Sequence, residues 1–316
     1  MYLPQGNQPS ARHPSTGGIA RTILVALLVA QGGLASGPAR SAETPAEAKV
    51  IHTEPAQVGT IFVVEEGGLR YLRFDNPLGD DQSVFDPEDP AAVPMDYIRL
   101  ALACLAHCDR VERVLMIGLG AGSFTTAVFR ALPGVLIDAV EISPVVVRVA
   151  AKWFGLPRDP RYRIHLADGT TFVDESHQRW DAVFLDAYTE VDTPDLMRAQ
   201  ATFLRLKKRL RPGGVVLVNL AVKPDEENRA LASLGAVFGP LTCYPTPDGD
   251  NLLVVGRADG RKQTREQVRG RLSALASAGK WSFDLVAGLG QPVACSSRRR
   301  FSRPGSRRRG PPIDRR

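Results

Sequence analysis

Four acidic residues stand at or near the ends of apolar runs in this chain. They are Asp138 and Glu141 in VLIDAVE, Asp168 in RIHLADG and Asp186 in WDAVFLDAYT. A carboxylate at a strand tip can accept the hydroxyls of a sugar, meet the amino group of a base, or orient an amine and take its proton. Asp also caps helices and forms turns after strands, so each has a plainly structural reading. Asp138, inside its run, is the least telling. The others gain weight from a glycine turn just upstream, in VLMIGLGAGSFTTAVFRALPGVLIDAVE from Val114 to Glu141.

Gly118, Gly120 and Gly122 fall at alternate positions after an apolar strand and before a helix, where they let the backbone turn tightly and approach a ligand. Glu141 follows Gly118 by 23 residues, a spacing that brings an acid to both hydroxyls of a ribose. An adenosine-containing ligand is the first expectation. A dinucleotide site wants a third glycine at position 123, and this chain has Ser123. The loop looks more like one that cradles a sulfonium nucleoside of the S-adenosylmethionine type, which carries no phosphate.

The elements that must hold these residues follow from the pattern. Strands are expected at 112–118, 135–141, 162–167, 181–186 and 214–219, and helices at 123–132, 144–154, 194–210 and 225–236. Two further strands near 240–245 and 251–256 should close a terminal hairpin. Apolar strands alternating with helices predict an α/β, doubly wound, mostly parallel Rossmann-like sheet with ligands at the carboxyl ends of its strands. Pro212-Gly213-Gly214 is expected to end the long helix before VVLVNL. Ahead of this domain, Lys49 to Phe74 reads as β structure around a Glu65-Glu66-Gly67-Gly68 turn, and Met95 to His107 has the spacing of a half-buried helix. The expected organisation is a leader over 1–42, a small β domain over 43–94, a Rossmann-like domain over 95–290 and a tail over 291–316.

The chain has 316 residues, 44% of them hydrophobic, which suffices for an ordinary core plus a small second domain. Its net charge of +6 is misleading, because Cys295 to Arg316 carries nine Arg and one Asp and leaves the rest near −2. The body is therefore no specific nucleic-acid binder, and the Arg-rich tail reads as disordered chain able to touch acidic surfaces. Arg12 and Arg21 precede an apolar run from Thr22 to Ala30 and then small residues, the layout of a signal peptide. Export to the periplasm or beyond is the expectation if the leader acts as a signal, and a cytoplasmic protein otherwise. The four cysteines show no CxxC or metal-type spacing, and Cys104 and Cys108, four apart on a helix, are poorly placed for a disulfide. Buried thiols and no metal are expected. The five His show no Ser-His-Asp order.

The order GLGAGS, VEISP, DPRYRIHLADG, WDAVFLDAYT and LRPGGVVLVNL, preceded by DDQS and MDYIRLAL, resembles the spermidine synthase family of polyamine aminopropyltransferases over roughly residues 49–257. The resemblance implies a methyltransferase-type fold and decarboxylated S-adenosylmethionine, or S-adenosylmethionine, as co-substrate. It implies that Gly118, Gly120 and Gly122 line the donor, Glu141 holds the ribose, and Asp168 and Gly169 meet the adenine. Gln82 and Tyr97 would face the site from the N-terminal side, Tyr188 would touch substrate, and Asp186 matches the catalytic aspartate. A polyamine acceptor and a homo-oligomer are implied as well. Two departures stand out: Ala121 and Thr189 occupy positions where the family has aspartates.

Those positions matter because an amine with a pKa near 10.4 is free in only about one molecule in 10³ at pH 7, so a site must orient it and take its proton. Asp186 suits that task. Glu190, Asp192 and Asp195 are the nearby acids left to stand in for the missing aspartates, and Asp in place of Ala121 is expected to restore an anchor for the donor's ammonium. Three functions fit the residues: aminopropyl transfer to an acceptor such as putrescine, methyl transfer on the same scaffold, or nucleoside or polyamine binding by an inactive homologue.

Overall fold

The computed structural model describes residues 48–57, 59–187, 198–221 and 224–295. The leader, the tail beyond Cys295 and the expectations for Tyr188 and Thr189 lie outside them.

A four-stranded antiparallel sheet comes first: β1 (Lys49–Ala56), β2 (Gly59–Glu66), β3 (Leu69–Phe74) and β4 (Ser83–Phe85), in that spatial order. Gly67 and Gly68 link β2 to β3 with φ of 62° and 81°, the left-handed pair that a two-residue hairpin turn needs. The sequence pattern pointed to two strand-like runs here, and the segment folds as three strands before β4 joins. Helix α1 (Asp96–Cys104) and a 3₁₀ turn (Leu105–His107) then lead to the main sheet.

The main sheet has seven strands in the order β10-β11-β9-β8-β5-β6-β7. They are β5 (Arg113–Ile117), β6 (Leu136–Glu141), β7 (Tyr162–Leu166), β8 (Trp180–Leu185), β9 (Leu210–Leu220), β10 (Leu241–Pro245) and β11 (Leu252–Arg257). The five from β7 to β9 run parallel, and β11 and β10 close the sheet as an antiparallel hairpin. Helices α2 (Ser123–Ala131), α3 (Pro144–Trp153), α4 (Gly169–Glu175), α5 (Gln200–Arg209), α6 (Pro224–Phe238), α7 (Arg265–Ala278) and α8 (Leu285–Gly288) complete the order. The α/β, mostly parallel expectation holds, with the small sheet ahead of it. No described helix is long and apolar enough to cross a membrane.

Strand periodicity sorts the core into two layers. Val114 and Met116, Ala182 and Phe184, and Val215 and Leu217 pack with α1 and α2 on one face. Leu115 and Ile117, Val183 and Leu185, and Val216 and Val218 pack with α5 and α6 on the other.

Three local expectations are corrected. A helix, α4, fills the gap between β7 and β8, because Asp168 caps a short turn of chain rich in β-branched residues that gave no helical period. The long helix ends at Arg209, and Pro212-Gly213-Gly214 lie within β9; Gly213 has φ 73° and the Asp109 carboxylate occupies the space of a side chain there. Cys243 of β10 is disulfide-bonded to Cys295, with Cα atoms 5.3 Å apart, where a buried thiol was expected. The chain after α8 returns along β10, donating the Val293 N–H to the Cys243 carbonyl at 2.8 Å, and so brings residues 52 apart together. Cys104 and Cys108 are buried free thiols.

Candidate active site

From β5 the chain winds outward through β6 and β7, then returns to the other side of β5 as β8. The connections therefore reverse direction between β5 and β8, the place where doubly wound sheets leave a crevice beyond the strand ends. The glycine loop follows β5 and Asp186 follows β8, so the topology brings the two sequence signals together.

The loop is a chain of left-handed turns, with φ of 90° at Gly118, 54° at Gly120 and 77° at Gly122. Close approach enforces glycine at both ends. A Cβ at 118 would stand 2.1 Å from the Asp186 carbonyl oxygen, and one at 122 would stand 2.3 Å from Leu156 Cδ2. The loop's N–H groups have acceptors inside the protein. Gly118 donates to the Val140 carbonyl at 2.9 Å, Leu119 to Glu141 Oε2 at 3.0 Å, Ala121 to Ser83 Oγ at 3.1 Å, and Gly122 to the Leu119 carbonyl at 2.8 Å. Glu141 also accepts from Gly120. A loop whose amides are already paired has little to offer a pyrophosphate, which fits the absence of glycine at 123.

Glu141 is buried at 8% exposure and takes a further N–H from Ser143 at 2.9 Å. Burial raises its pKa above the ordinary carboxylate value, and the surrounding amides pull it back. Next to it, two apolar side chains stand unusually exposed at adjacent strand tips: Ile142 at 54% and Leu166 at 58%. Neither was singled out by the sequence, since their exposure becomes visible only once the strand ends are known.

Asp186 continues the Ala182–Phe184 face of β8, Asn219 continues the Val215–Leu217 face of β9, and Tyr97 lies on α1 above that face. The three converge. Asn219 Nδ2 donates to Asp186 Oδ1 at 3.0 Å, and the Tyr97 hydroxyl donates to the same carboxylate. Burial lifts Asp186 from 3.8 to about 6, opposed by the hydrogen bonds from Asn219 and Tyr97. The sequence reading missed Asn219, although it is the single polar side chain in VVLVNL and the period-two pattern aims it at the Asp186 face.

The other expected residues are placed differently. Asp168 is exposed and caps α4, its Oδ1 accepting from Thr171 N at 2.9 Å and Thr171 Oγ1 at 3.1 Å; Gly169 is the buried first residue of that helix. Gln82 is half-buried just before β4, with its N–H on the Leu72 carbonyl at 2.9 Å, and lies outside the Asp186 hydrogen-bond set. Asp138 faces away, toward Trp180 Nε1 and His165 Nε2 at 2.9 Å each and Arg163. Ala121, 2% exposed, belongs to an apolar cluster with Ile61, Val63 and Leu72 of the small sheet and Val146 of α3. An Asp at 121 would meet this apolar cluster on one side, at a desolvation cost to its charge that any anchoring of a donor ammonium must offset. Among the described residues, no three His, Cys, Asp or Glu side chains are grouped to hold a metal.

Residues 99–233 match the family model of the spermine/spermidine synthase domain. The polyamine aminopropyltransferase of Vibrio vulnificus is 26% identical over 237 residues, 73% of this chain and 79% of its own length. That of Chromobacterium violaceum is 32% identical over 162 residues, and this match spans only 60% of its length. A probable spermidine synthase from Corynebacterium glutamicum superposes with a TM-score of 0.61 at 19% identity, over 73% of this chain and 88% of that one. Human methyltransferase-like protein 13 in complex with SAH superposes with a TM-score of 0.50 at 26% identity, over 58% and 88%. Over residues 99–233 the chain is similar to the spermine/spermidine synthase domain, and its fold is of the methyltransferase type.

Proposed function

We propose that this protein is an aminopropyltransferase that moves the aminopropyl group of decarboxylated S-adenosylmethionine to a polyamine acceptor such as putrescine. The observation that carries the reading is the carboxylate of Asp186, held by Tyr97 and Asn219 at the reversal point of the sheet, on a residue whose backbone lies against Gly118 of the nucleoside loop.

The chemistry follows from those groups. Glu141 accepts the ribose hydroxyls with the lone pairs its backbone partners leave over, and the purine lies against Ile142 and Leu166, with Asp168 and Gly169 near its amino edge. Asp186, with a pKa of about 6, is mostly ionised at pH 7 and attracts the acceptor's ammonium. The acceptor nitrogen must lose a proton to expose its lone pair. That lone pair attacks the carbon beside the sulfonium, a C–N bond forms, and the C–S bond breaks with its electrons passing to sulfur. The leaving group is neutral methylthioadenosine. Asp186 is placed to take the acceptor ammonium's proton before the attack and to release it to solvent, and the product nitrogen stays protonated as a secondary ammonium. Holding both partners in line supplies much of the rate. Gln82 belongs to the donor side and Tyr97 and Tyr188 to the acceptor side in this reading, and the assembly is a homo-oligomer.

One observation favours a second reading, methyl transfer from S-adenosylmethionine. With Ala121 apolar and buried, the described part of the loop offers no acid to a donor ammonium. Calorimetric titration with decarboxylated S-adenosylmethionine, S-adenosylmethionine, methylthioadenosine and NAD separates the readings. Preference for the decarboxylated donor supports aminopropyl transfer, preference for the carboxylated donor supports methyl transfer, and tight NAD binding alone removes both. The Cys243–Cys295 disulfide supports a place for the protein in an oxidising compartment, in keeping with a leader that acts as a signal.

A further inference from the structure

The small sheet reaches into the glycine loop through one side chain. Ser83 opens β4, is 4% exposed, and its Oγ accepts the N–H of Ala121 at 3.1 Å. Gly120 makes room for that hydroxyl, since a Cβ there would stand 3.1 Å from the same oxygen. The position of Ser83 is set by register: it pairs with Leu72 of β3, and Leu72 shares an apolar cluster with Ala121. On the other side of the loop, Glu141 at the tip of β6 accepts the N–H of Leu119. Acceptors from two different sheets thus hold amides two residues apart, with the left-handed Gly120 between them.

We propose that Ser83 is a positioning residue for the nucleoside donor: it sets the turn at Gly120–Ala121 and makes donor binding depend on the seating of the small sheet. The inference rests on the reading of the loop as the donor site. Without the hydroxyl, the Ala121 N–H would be buried with no acceptor, at a residue 2% exposed. The 120–121 peptide would then rotate toward water and carry the loop's ligand-facing surface with it. A hydroxyl on a β-branched side chain keeps the acceptor, so Thr should substitute where Ala should not.

The test uses the full chain with Ser83→Ala, Ser83→Thr and Ser83→Cys, the last filling the same space with a poor acceptor. Titration with methylthioadenosine should weaken about 3–10-fold for the Ala and Cys variants and stay within about twofold of wild type for Thr, the range a single hydrogen bond supplies. The donor KM should rise by the same factor while kcat changes less than about twofold. Hydrogen exchange at the Ala121 amide, read without ligand, should speed at least about tenfold in Ala and Cys and remain slow in Thr. Unchanged affinity in Ser83→Ala and Ser83→Cys, or equal weakening in all three variants, overturns the proposal. Wild-type protein that binds no methylthioadenosine overturns the donor-site reading and the proposal with it. The ligand-free exchange measurement tells that failure from one in which Ser83 does not hold the loop.

Discussion

Gly118 and Asp186 touch backbone to backbone at the reversal point of the sheet, so closely that a methyl group on Gly118 would lie 2.1 Å from the Asp186 carbonyl oxygen. The glycine turn and the residue that carries the buried acid therefore share one wall. Gly118→Ala meets both that clash and a φ of 90° that side chains resist. It should cost about 2–4 kcal/mol of stability and most of the activity. Gly134→Ala, with nothing within 4 Å of the added carbon, is the control and should change stability by less than about 0.5 kcal/mol. Thermal unfolding of the two variants checks this.

Asp186 should make the protein sensitive to pH in two opposite ways. Its pKa is raised from 3.8 to about 6 on folding, so the folded chain holds that proton more tightly than the unfolded chain. The resulting stabilisation is complete below about pH 4 and is lost as pH rises through about 6. Asp186→Asn should accordingly stabilise the protein by about 1–3 kcal/mol at pH 7.5 and by little at pH 4. Activity runs the other way, because the ionised form is required. The kcat/KM for the acceptor should fall on the acid side with an apparent pKa near 6, and Asn219→Ala, which removes a hydrogen bond that favours the carboxylate, should move that limb to higher pH. Urea unfolding across pH and a pH–rate profile measure the two effects.

Glu141 serves the loop as well as any ligand. Glu141→Ala should weaken methylthioadenosine binding by about 1.5–3 kcal/mol, and, by stranding the N–H groups of Leu119 and Ser143, should also cost about 2–4 kcal/mol of stability. Glu141→Gln keeps one acceptor oxygen and should lose less of each. Binding isotherms paired with unfolding curves check it; a variant with normal stability and normal binding would leave Glu141 with no part in holding the loop or the ligand.

Much of this site was legible in the sequence where backbone demands are strict. Glycines at 118, 120 and 122 are required by positive φ, and apolar runs around them have a period that both faces of a buried sheet impose. Asp186 was within reach as the acid at the end of an apolar strand, and Tyr97 only through the resemblance carried by MDYIRLAL. Asn219 and Ser83 were not, because a polar residue at a strand end declares its partner only when the strand order is known. Helix α4 was hidden by its seven residues and its Thr-rich start, whereas α7 carried an unused signal, the capping box between Thr264 and Gln267. The Cys243–Cys295 pairing could not be read from spacing, since four cysteines allow several pairings and the segment that joins these two returns across an edge strand.

That disulfide should be present in protein taken from an oxidising compartment. Thiol titration of the unfolded chain without reductant should count two thiols, those of Cys104 and Cys108, and four after reduction. Cys295→Ser should lower stability by about 2–4 kcal/mol, since the bond closes a loop spanning 52 residues. Four titratable thiols in freshly isolated, unreduced protein would remove both the bond and its support for export.

Aminopropyl transfer governed by Asp186 can be measured directly. Purified protein incubated with decarboxylated S-adenosylmethionine and putrescine, with products followed by mass spectrometry, should yield spermidine and methylthioadenosine in equal amounts. Asp186→Asn should slow that turnover by about 10²–10⁴ while methylthioadenosine binding stays within a few fold. Wild-type protein that binds the donor yet forms no aminopropylated product with putrescine or other di- and polyamines, or an Asp186→Asn variant that turns over at the wild-type rate, would contradict the account.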